Sequence, residues 1–271
     1  MPNQDKERHK KEFLALLVVF EKMLEDNSDD WSSFEIMEEL MSLRSDFAIR
    51  HAFDGFGIDY DMALELLRNT DDGLTEQDRA KRDIVVAAVD NLIDFAVAEE
   101  YQMMLEYLED EYQEDEDGEE IFAKYNDRYA LVENQDIEYA MLIAAQLVVV
   151  TNNTTLMYMT QGDERVRPWH LQFEGFSAPK STFPAWLIPP IEHACRCYLV
   201  EDVIAGEIPD VKNSVIRTPE IPDWFNPTFK ESVALGGRIF SDEHPYFQIK
   251  SEHVSALHLI SDKIKSKYYN G

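Results

Sequence analysis

Four side chains in the middle of the chain have the types and the spacing that a metal site requires. His193, Cys195 and Cys197 stand two residues apart, so in an extended strand all three side chains project from one face. His170, in an earlier loop, offers a fourth donor. Zn²⁺ takes imidazole nitrogen and thiolate sulfur as ligands in a tetrahedral arrangement. The spacing therefore predicts a zinc site formed by His170, His193, Cys195 and Cys197.

Two other interpretations of these residues stay open. A C-x-C pair with two scattered histidines is less specific than two C-x-x-C knuckles. Cysteines are often small buried hydrophobic side chains, and buried histidines often bond to the backbone. A thiolate at Cys195 or Cys197 beside His170 would be a nucleophile, but that requires an exposed sulfur of low pKa. A cysteine pair on one strand is more typical of a core or of a metal site.

The segment that contains His170 is dense in groups that hydrogen-bond in fixed directions. It reads GDERVRPWHLQFEGF, over residues 162–176. Asp163 can accept hydrogen bonds from the backbone amides of its own turn. The guanidinium groups of Arg165 and Arg167 can each bind a carboxylate or a pair of carbonyls. We therefore expect these side chains to hold loops in place.

These motifs resemble those of the phage Mu F-like head-morphogenesis proteins, also called minor head proteins. The resemblance rests on DERVRPWH, on the glycine that follows it at Gly175, and on the ending PPIEHACRC. A later segment, NPTFKESVALGGRIFSDEHPYF over residues 226–247, is similar to a stretch that follows this signature in some members. The matches span residues 155–247, about a third of the chain. In many members the preceding helix is polar and bears arginine, whereas here it reads IEYAMLIAAQLVVV.

The resemblance implies a structural protein of a tailed-phage head. Such a protein is present in few copies, associates with the portal or the capsid interior, and acts around DNA packaging or ejection. It would be found in the virion head, which assembles in the cytoplasm of the bacterial host. The resemblance implies no catalysis. The residues that it marks would hold the loops of the domain together: Asp163, Arg165, Arg167, His170, Gly175, Cys195, Arg196 and Cys197.

The charge of the chain favours some partners over others. Its 25 basic and 54 acidic residues give a formal net charge of −29, which repels phosphate backbones and anionic lipid surfaces. We therefore expect no direct, whole-surface binding of nucleic acid. An acidic helical surface is also able to imitate DNA phosphates and bind a basic protein, as an inhibitor would, although solubility explains the same charge. A phage-derived effector or toxin is a further alternative, for which the first half offers no catalytic cluster.

Other functions lack a sequence basis. There is no P-loop, no G-x-G-x-x-G after a strand and no G-x-S-x-G elbow. The start MPNQDKERHKK lacks the apolar region of a secretory signal, and the two cysteines allow no disulfide framework, so we expect a reducing cytoplasm. The most apolar run, residues 141–150, is about half the length that crosses a bilayer. We therefore expect no membrane span and no enzyme activity. No cofactor is certain from the sequence, and zinc is a possible one.

The elements that must position these residues follow from apolar periodicity. Spacings of three and four predict helices over residues 7–25, 34–52 and 61–68, a helix of over thirty residues after Thr75, one over residues 137–148, and a final one over residues 254–264. The Gly55 and Gly57 pair predicts a turn, and ten carboxylates within residues 106–120, with Gly118, predict a break. Residues 155–160 and 197–203 read as strands. The predicted fold is α+β, with an acidic helical domain over residues 1–150 and a small, loop-rich α+β Mu F-like domain over residues 151–271.

Overall fold

The computed structural model describes residues 3–25, 31–71, 73–109, 116–201 and 219–270. Within these residues the first half is helical, and the second half contains a small sheet, many loops and a final helix, so the α+β prediction is confirmed. The helices are α1 (Asn3–Glu25), α2 (Trp31–Phe56), α3 (Tyr60–Arg68), α4 (Glu76–Glu109), α5 (Glu116–Ala123), α6 (Ala130–Val148) and α7 (Val254–Asn270). The strands are β1 (Thr155–Met159), β2 (Ser177–Pro179) and β3 (Tyr198–Glu201).

The six predicted helices are present, α5 is an additional helix that was not predicted, and the structure differs from expectation at two glycines. Helix α2 continues through Gly55, where α6 lies so close that an added Cβ would collide with the backbone of Glu138. The turn instead falls at Gly57, whose φ is +73°. Gly118 lies inside α5 and does not mark a break. The break predicted for the acidic stretch falls partly on residues 110–115, which lie outside the described residues.

Helix α4 begins and packs as its sequence predicts. The Thr75 hydroxyl accepts a hydrogen bond from the Asp78 amide at 3.1 Å, which caps the first turn. The helix then runs for 34 residues. Val85, Val89 and Leu92, on the face predicted to be apolar, are fully buried. The first turns of α4 show this periodicity, whereas residues 91–101 are buried on nearly every side.

The C-terminal third packs directly on these helices. The Asn91 side chain on α4 donates to the Phe240 carbonyl and accepts from the Ile239 and Phe240 amides, at 2.9 to 3.0 Å. The Phe95 ring stacks on that of Phe240 with centroids 4.3 Å apart, and Lys265 of α7 pairs with Asp94 at 2.8 Å. The type of secondary structure changes near residue 150. Buried side chains from before and after this residue nevertheless belong to one apolar cluster.

The three strands form an antiparallel sheet in the order β2-β1-β3. The register pairs Met159, the last residue of β1, with Tyr198, the first residue of β3. The beginning of the loop after β1 therefore lies beside the end of the segment that leads into β3. These are the two segments that carry the motifs, so the sheet brings together residues that lie far apart in sequence.

A buried cation lies between three helices and is surrounded by carboxylates. The Arg44 side chain on α2 donates to Glu99 of α4 at 2.8 Å, and to Asn134 and Glu133 of α6 at 3.0 and 3.3 Å. Glu100, next to Glu99, is also buried. Burial, together with the charge of Glu99, raises the pKa of Glu100 to about 8. One guanidinium therefore stabilises several carboxylates, and Glu100 is protonated over much of the neutral range.

This burial predicts a stability that decreases with pH. A carboxyl whose pKa is raised in the folded state stabilises the fold while it is protonated, and that contribution is lost as the pH rises from its ordinary pKa of 4.5 to about 8. Glu100→Gln removes this titration. We expect its free energy of unfolding, measured by urea denaturation, to depend less steeply on pH between 5 and 8 than that of the unsubstituted protein, by at least about 1 kcal/mol over the interval.

Glu65→Gln, on an exposed position of α3, removes the same formal charge and serves as the control. It should leave the pH dependence unchanged. Equal slopes for Glu100→Gln and the unsubstituted protein would contradict the assigned pKa.

Candidate functional site

An ion pair on the surface connects the two motif segments. The Arg196 guanidinium donates two hydrogen bonds to the Asp163 carboxylate, at 2.9 and 2.7 Å. Asp163 also accepts from the Arg165 amide of its own turn at 3.0 Å, as its position predicts. The Gln161 side chain donates to the Arg196 carbonyl at 3.0 Å. The loop after β1 is therefore tied to the segment before β3 at several points.

Two further motif residues hold the backbone of these loops. The Arg167 guanidinium donates to the His193 carbonyl at 2.7 Å and lies 3.4 Å from the Glu192 carboxylate. Gly175 has a φ of +82°, in the left-handed region that favours glycine, and its amide donates to the Tyr158 carbonyl at 2.9 Å. Gly175 thus allows the chain to turn back to the sheet, as a loop-holding role requires.

His170, Cys195 and Cys197 form a buried cluster. Their donor atoms all lie within 4.8 Å of one another. The His170 Nδ1 atom is 3.4 Å from the Cys197 Sγ and 3.9 Å from the Cys195 Sγ. Each of the three residues is at most 4% exposed. The structure thus brings together three of the four residues predicted to bind zinc.

His193, the fourth predicted ligand, faces elsewhere. Its Nδ1 lies 2.8 Å from a carboxylate oxygen of Asp136, on α6, and the Ala194 amide donates to the other oxygen at 2.7 Å. The extended strand expected through residues 193–197 is replaced by a turn, in which the Cys195 amide donates to the Glu192 carbonyl and Ala194 has a φ of +55°. The side chain of His193 therefore does not share a face with those of the two cysteines. The four-residue ligand set is corrected to three.

Glu192 fixes the orientation of the His170 ring. Its carboxylate lies 3.1 Å from the His170 Nε2 and accepts a hydrogen bond from the Trp169 indole at 3.0 Å. In the tautomer whose Nε2 donates to this carboxylate, the lone pair of His170 is on Nδ1, the nitrogen that faces the two sulfurs. Nothing in the spacing of the sequence singled out Glu192, since a lone glutamate before a histidine is common on surfaces.

The two thiols have different electrostatic surroundings. A hydrogen bond from the Cys195 thiol, with the positive charges of Arg167 and Arg196, lowers the pKa of Cys197. The hydrogen bond to Cys197, together with burial, raises the pKa of Cys195. Both sulfurs are buried, so the exposed thiolate that a nucleophile requires is not present.

A buried hydroxyl lies beside the same sulfurs. Tyr158, on β1, is fully buried, and its hydroxyl lies beside the Cys197 sulfur but makes no well-formed hydrogen bond within the described part of the chain. Burial and the nearby charges of Cys195 and Cys197 raise its pKa. A buried hydroxyl without a partner is unfavourable unless a further acceptor is present. A thiolate in this position would be such an acceptor.

Aromatic and apolar side chains are exposed beside this cluster. Trp169, Leu171 and Trp224 are 43%, 49% and 41% exposed, and the rings of Trp169 and Trp224 lie 6.3 Å apart. Tryptophan side chains usually anchor a core, because their indoles bury large areas, and Trp186 does so here at 7% exposed. Trp169 and Trp224 are exposed instead, which favours contact with a partner, because exposed apolar patches commonly mark interaction sites.

Comparisons with family models, with curated proteins and with solved structures find no match to this chain. Among the described helices, none is both long enough and apolar enough to cross a bilayer.

The turn that carries Cys195 should depend on Asp136. Asp136→Ala removes a buried carboxylate that accepts a hydrogen bond from the Ala194 amide and lies against the His193 ring. We expect the free energy of unfolding to fall by about 1–3 kcal/mol. Asp163→Ala is the matched comparison, since it also removes a carboxylate that joins two motif segments. Its ion pair is exposed to solvent, so the loss should be much smaller. Both free energies of unfolding are measured by urea denaturation. Similar losses for the two variants would contradict the expectation that Asp136→Ala destabilises the protein more.

Proposed function

We propose that this chain is a structural minor head protein of a tailed phage or prophage, which associates with the portal or the capsid interior and carries out no catalysis. The proposal rests on the contact between two segments that contribute to the family resemblance. Residues 163–170 and 192–197 are separated by more than twenty residues, yet their side chains bond to one another and converge on one cluster.

The contacts of the marked residues support a structural role. The Asp163 and Arg196 side chains are paired with each other, Arg167 binds a backbone carbonyl, and His170 lies against the two cysteines. These groups make contacts within the protein that stabilise loops, as the resemblance implies. An active site requires reactive groups that a substrate reaches, whereas both cysteines and His170 are buried.

The exposed patch of Trp169, Leu171 and Trp224 is the surface that we propose for contact with the portal or capsid. Aromatic residues are enriched in protein interfaces, and tryptophan is common among the residues that contribute most to binding. Trp169 and Leu171 lie on the loop that bears the signature, and Trp224 lies beside Trp169. The charge of this part of the chain is close to balanced: 15 acidic and 12 basic residues over residues 151–271. The strongly acidic helices would then face solvent or other proteins and not the packaged DNA.

Co-expression tests this assignment. The chain is produced together with the portal and major capsid proteins encoded beside it, and particles and proheads are separated by sedimentation. We expect the chain to sediment with one of them. Its absence from both would contradict the proposal. A salt-sensitive complex with a basic DNA-binding protein, found in the same experiment, would instead support the acidic-mimic alternative.

A pair of surface variants tests the contact patch. Leu171→Asp places a charge in the patch, and we expect it to lower the amount of chain that sediments with particles at least tenfold, because a buried unpaired charge is costly at an interface. Leu259→Asp, at a position of α7 that is 70% exposed, introduces the same charge away from the patch and should have no effect. Equal loss from the two variants, or loss from neither, would remove the patch from the proposed interface.

A further inference from the structure

We infer that His170, Cys195 and Cys197 bind a zinc ion, with the fourth coordination position taken by water in the adjacent cleft. The proposed function assigns these residues only to the holding of loops, so a metal site goes beyond it.

The distances fit a tetrahedral centre. With Zn–S and Zn–N bonds of about 2.3 and 2.0–2.1 Å, a tetrahedral angle places nitrogen and sulfur ligands about 3.6 Å apart. The observed separations from the His170 Nδ1 are 3.4 Å to the Cys197 Sγ and 3.9 Å to the Cys195 Sγ. Donor atoms of three residues therefore already lie at the spacing that one ion requires.

The surroundings of His170 also match those of a metal ligand. A ligating histidine usually donates its other ring N–H to a carboxylate, which fixes the ring and makes it a better donor. The Glu192 carboxylate lies 3.1 Å from the His170 Nε2. Two thiol groups then point at the single Nδ1 lone pair, which accepts only one good hydrogen bond. A metal ion bound by the nitrogen and by both sulfurs, as thiolates, would remove this competition.

The charges nearby favour thiolates. Two thiolates and one neutral imidazole balance the charge of Zn²⁺. Arg165, Arg167 and Arg196 line the cleft beside the cluster. Tyr158 supplies a buried hydroxyl that makes no well-formed hydrogen bond within the described residues, lies beside the Cys197 sulfur and would donate to a thiolate. This hydroxyl is an observation independent of the spacing of the three ligands.

The fourth position is open as far as the described residues go, because no further donor from them reaches the cluster. Among the described histidine, cysteine and acidic side chains, only His170, Cys195 and Cys197 group in this way, and Asp136 holds His193 away. Beside the cluster is a cleft of about 20 Å³, lined in part by Arg165, Arg167 and Arg196. This volume accommodates about one water molecule. A water or a small anion is therefore the ligand that this position would accept.

Elemental analysis tests the site directly. The full chain is purified under reducing conditions without chelator, and zinc is measured per chain. We expect one equivalent, which cobalt replaces to give the absorption bands of a tetrahedral Co²⁺–thiolate centre. Removal of the metal with a chelator should lower the thermal unfolding midpoint, since an ion that binds only the folded state stabilises it. Less than a tenth of an equivalent, with no cobalt bands after reconstitution, would overturn the site.

Single substitutions distinguish a three-residue ligand set from a four-residue set that includes His193. Cys195→Ser, Cys197→Ser and His170→Ala should each lose the metal, whereas His193→Gln should keep one equivalent. Should a ligand variant fail to fold, the cobalt spectrum of the unsubstituted chain still decides the matter. Loss of zinc in His193→Gln, with native circular dichroism, would contradict the three-residue set.

Glu192→Gln tests the carboxylate behind His170. We expect its zinc affinity, measured by competition with a chromophoric chelator, to fall about 10–100-fold with the stoichiometry unchanged. An unchanged affinity would show that Glu192 does not support a ligand. All these measurements are made on the isolated protein, so failure of the metal site and failure to associate with phage particles are separate outcomes.

Discussion

The placement of the signature residues depends on one buried carboxylate, Asp136. It accepts hydrogen bonds from the Ala194 amide and lies against the His193 ring, and so holds the turn that precedes Cys195. Burial raises the pKa of Asp136, although the contact with His193 opposes this effect. Such a buried group is stable only while both of its partners are present. The turn therefore directs His193 toward α6 and leaves Cys195 and Cys197 facing His170.

Helix α6 carries Asp136 and connects the acidic scaffold to the loops. On one side Glu133 and Asn134 bind Arg44 of α2. On the other, the Tyr139 hydroxyl donates to the Cys197 carbonyl at 2.7 Å, and the Lys180 ammonium donates to carbonyls at the end of the helix. This position between the scaffold and the loops explains why the helix is apolar. Its residues Ile137, Met141 and Ala144 are fully buried.

Glu192 links the two features that we propose to be functional. Its carboxylate accepts from the indole of Trp169, in the exposed patch, and lies against the ring of His170, in the cluster. A partner that moved Trp169 would alter the hydrogen bond that orients His170. The proposed contact surface and the inferred metal site are thus adjacent and share one side chain. In a protein of net charge −29, they also lie next to a group of three arginines.

Six of the helices, the strands β1 and β3 and the turn at Asp163 were predictable from the sequence, because apolar periodicity and a side chain's bonds to its own turn are local properties. Strand β2 and helix α5 were not predicted. The contacts of Glu192 and His193 were not, because each depends on where a distant element packs: His193 is oriented by Asp136, 57 residues earlier. The same holds for Arg44, which is buried among carboxylates from two other helices. The sequence by itself determined which elements form and which residue types are available to bind a metal. Only the tertiary structure decided which of those residues meet, since a side chain's direction follows from the packing of elements that are far apart along the chain.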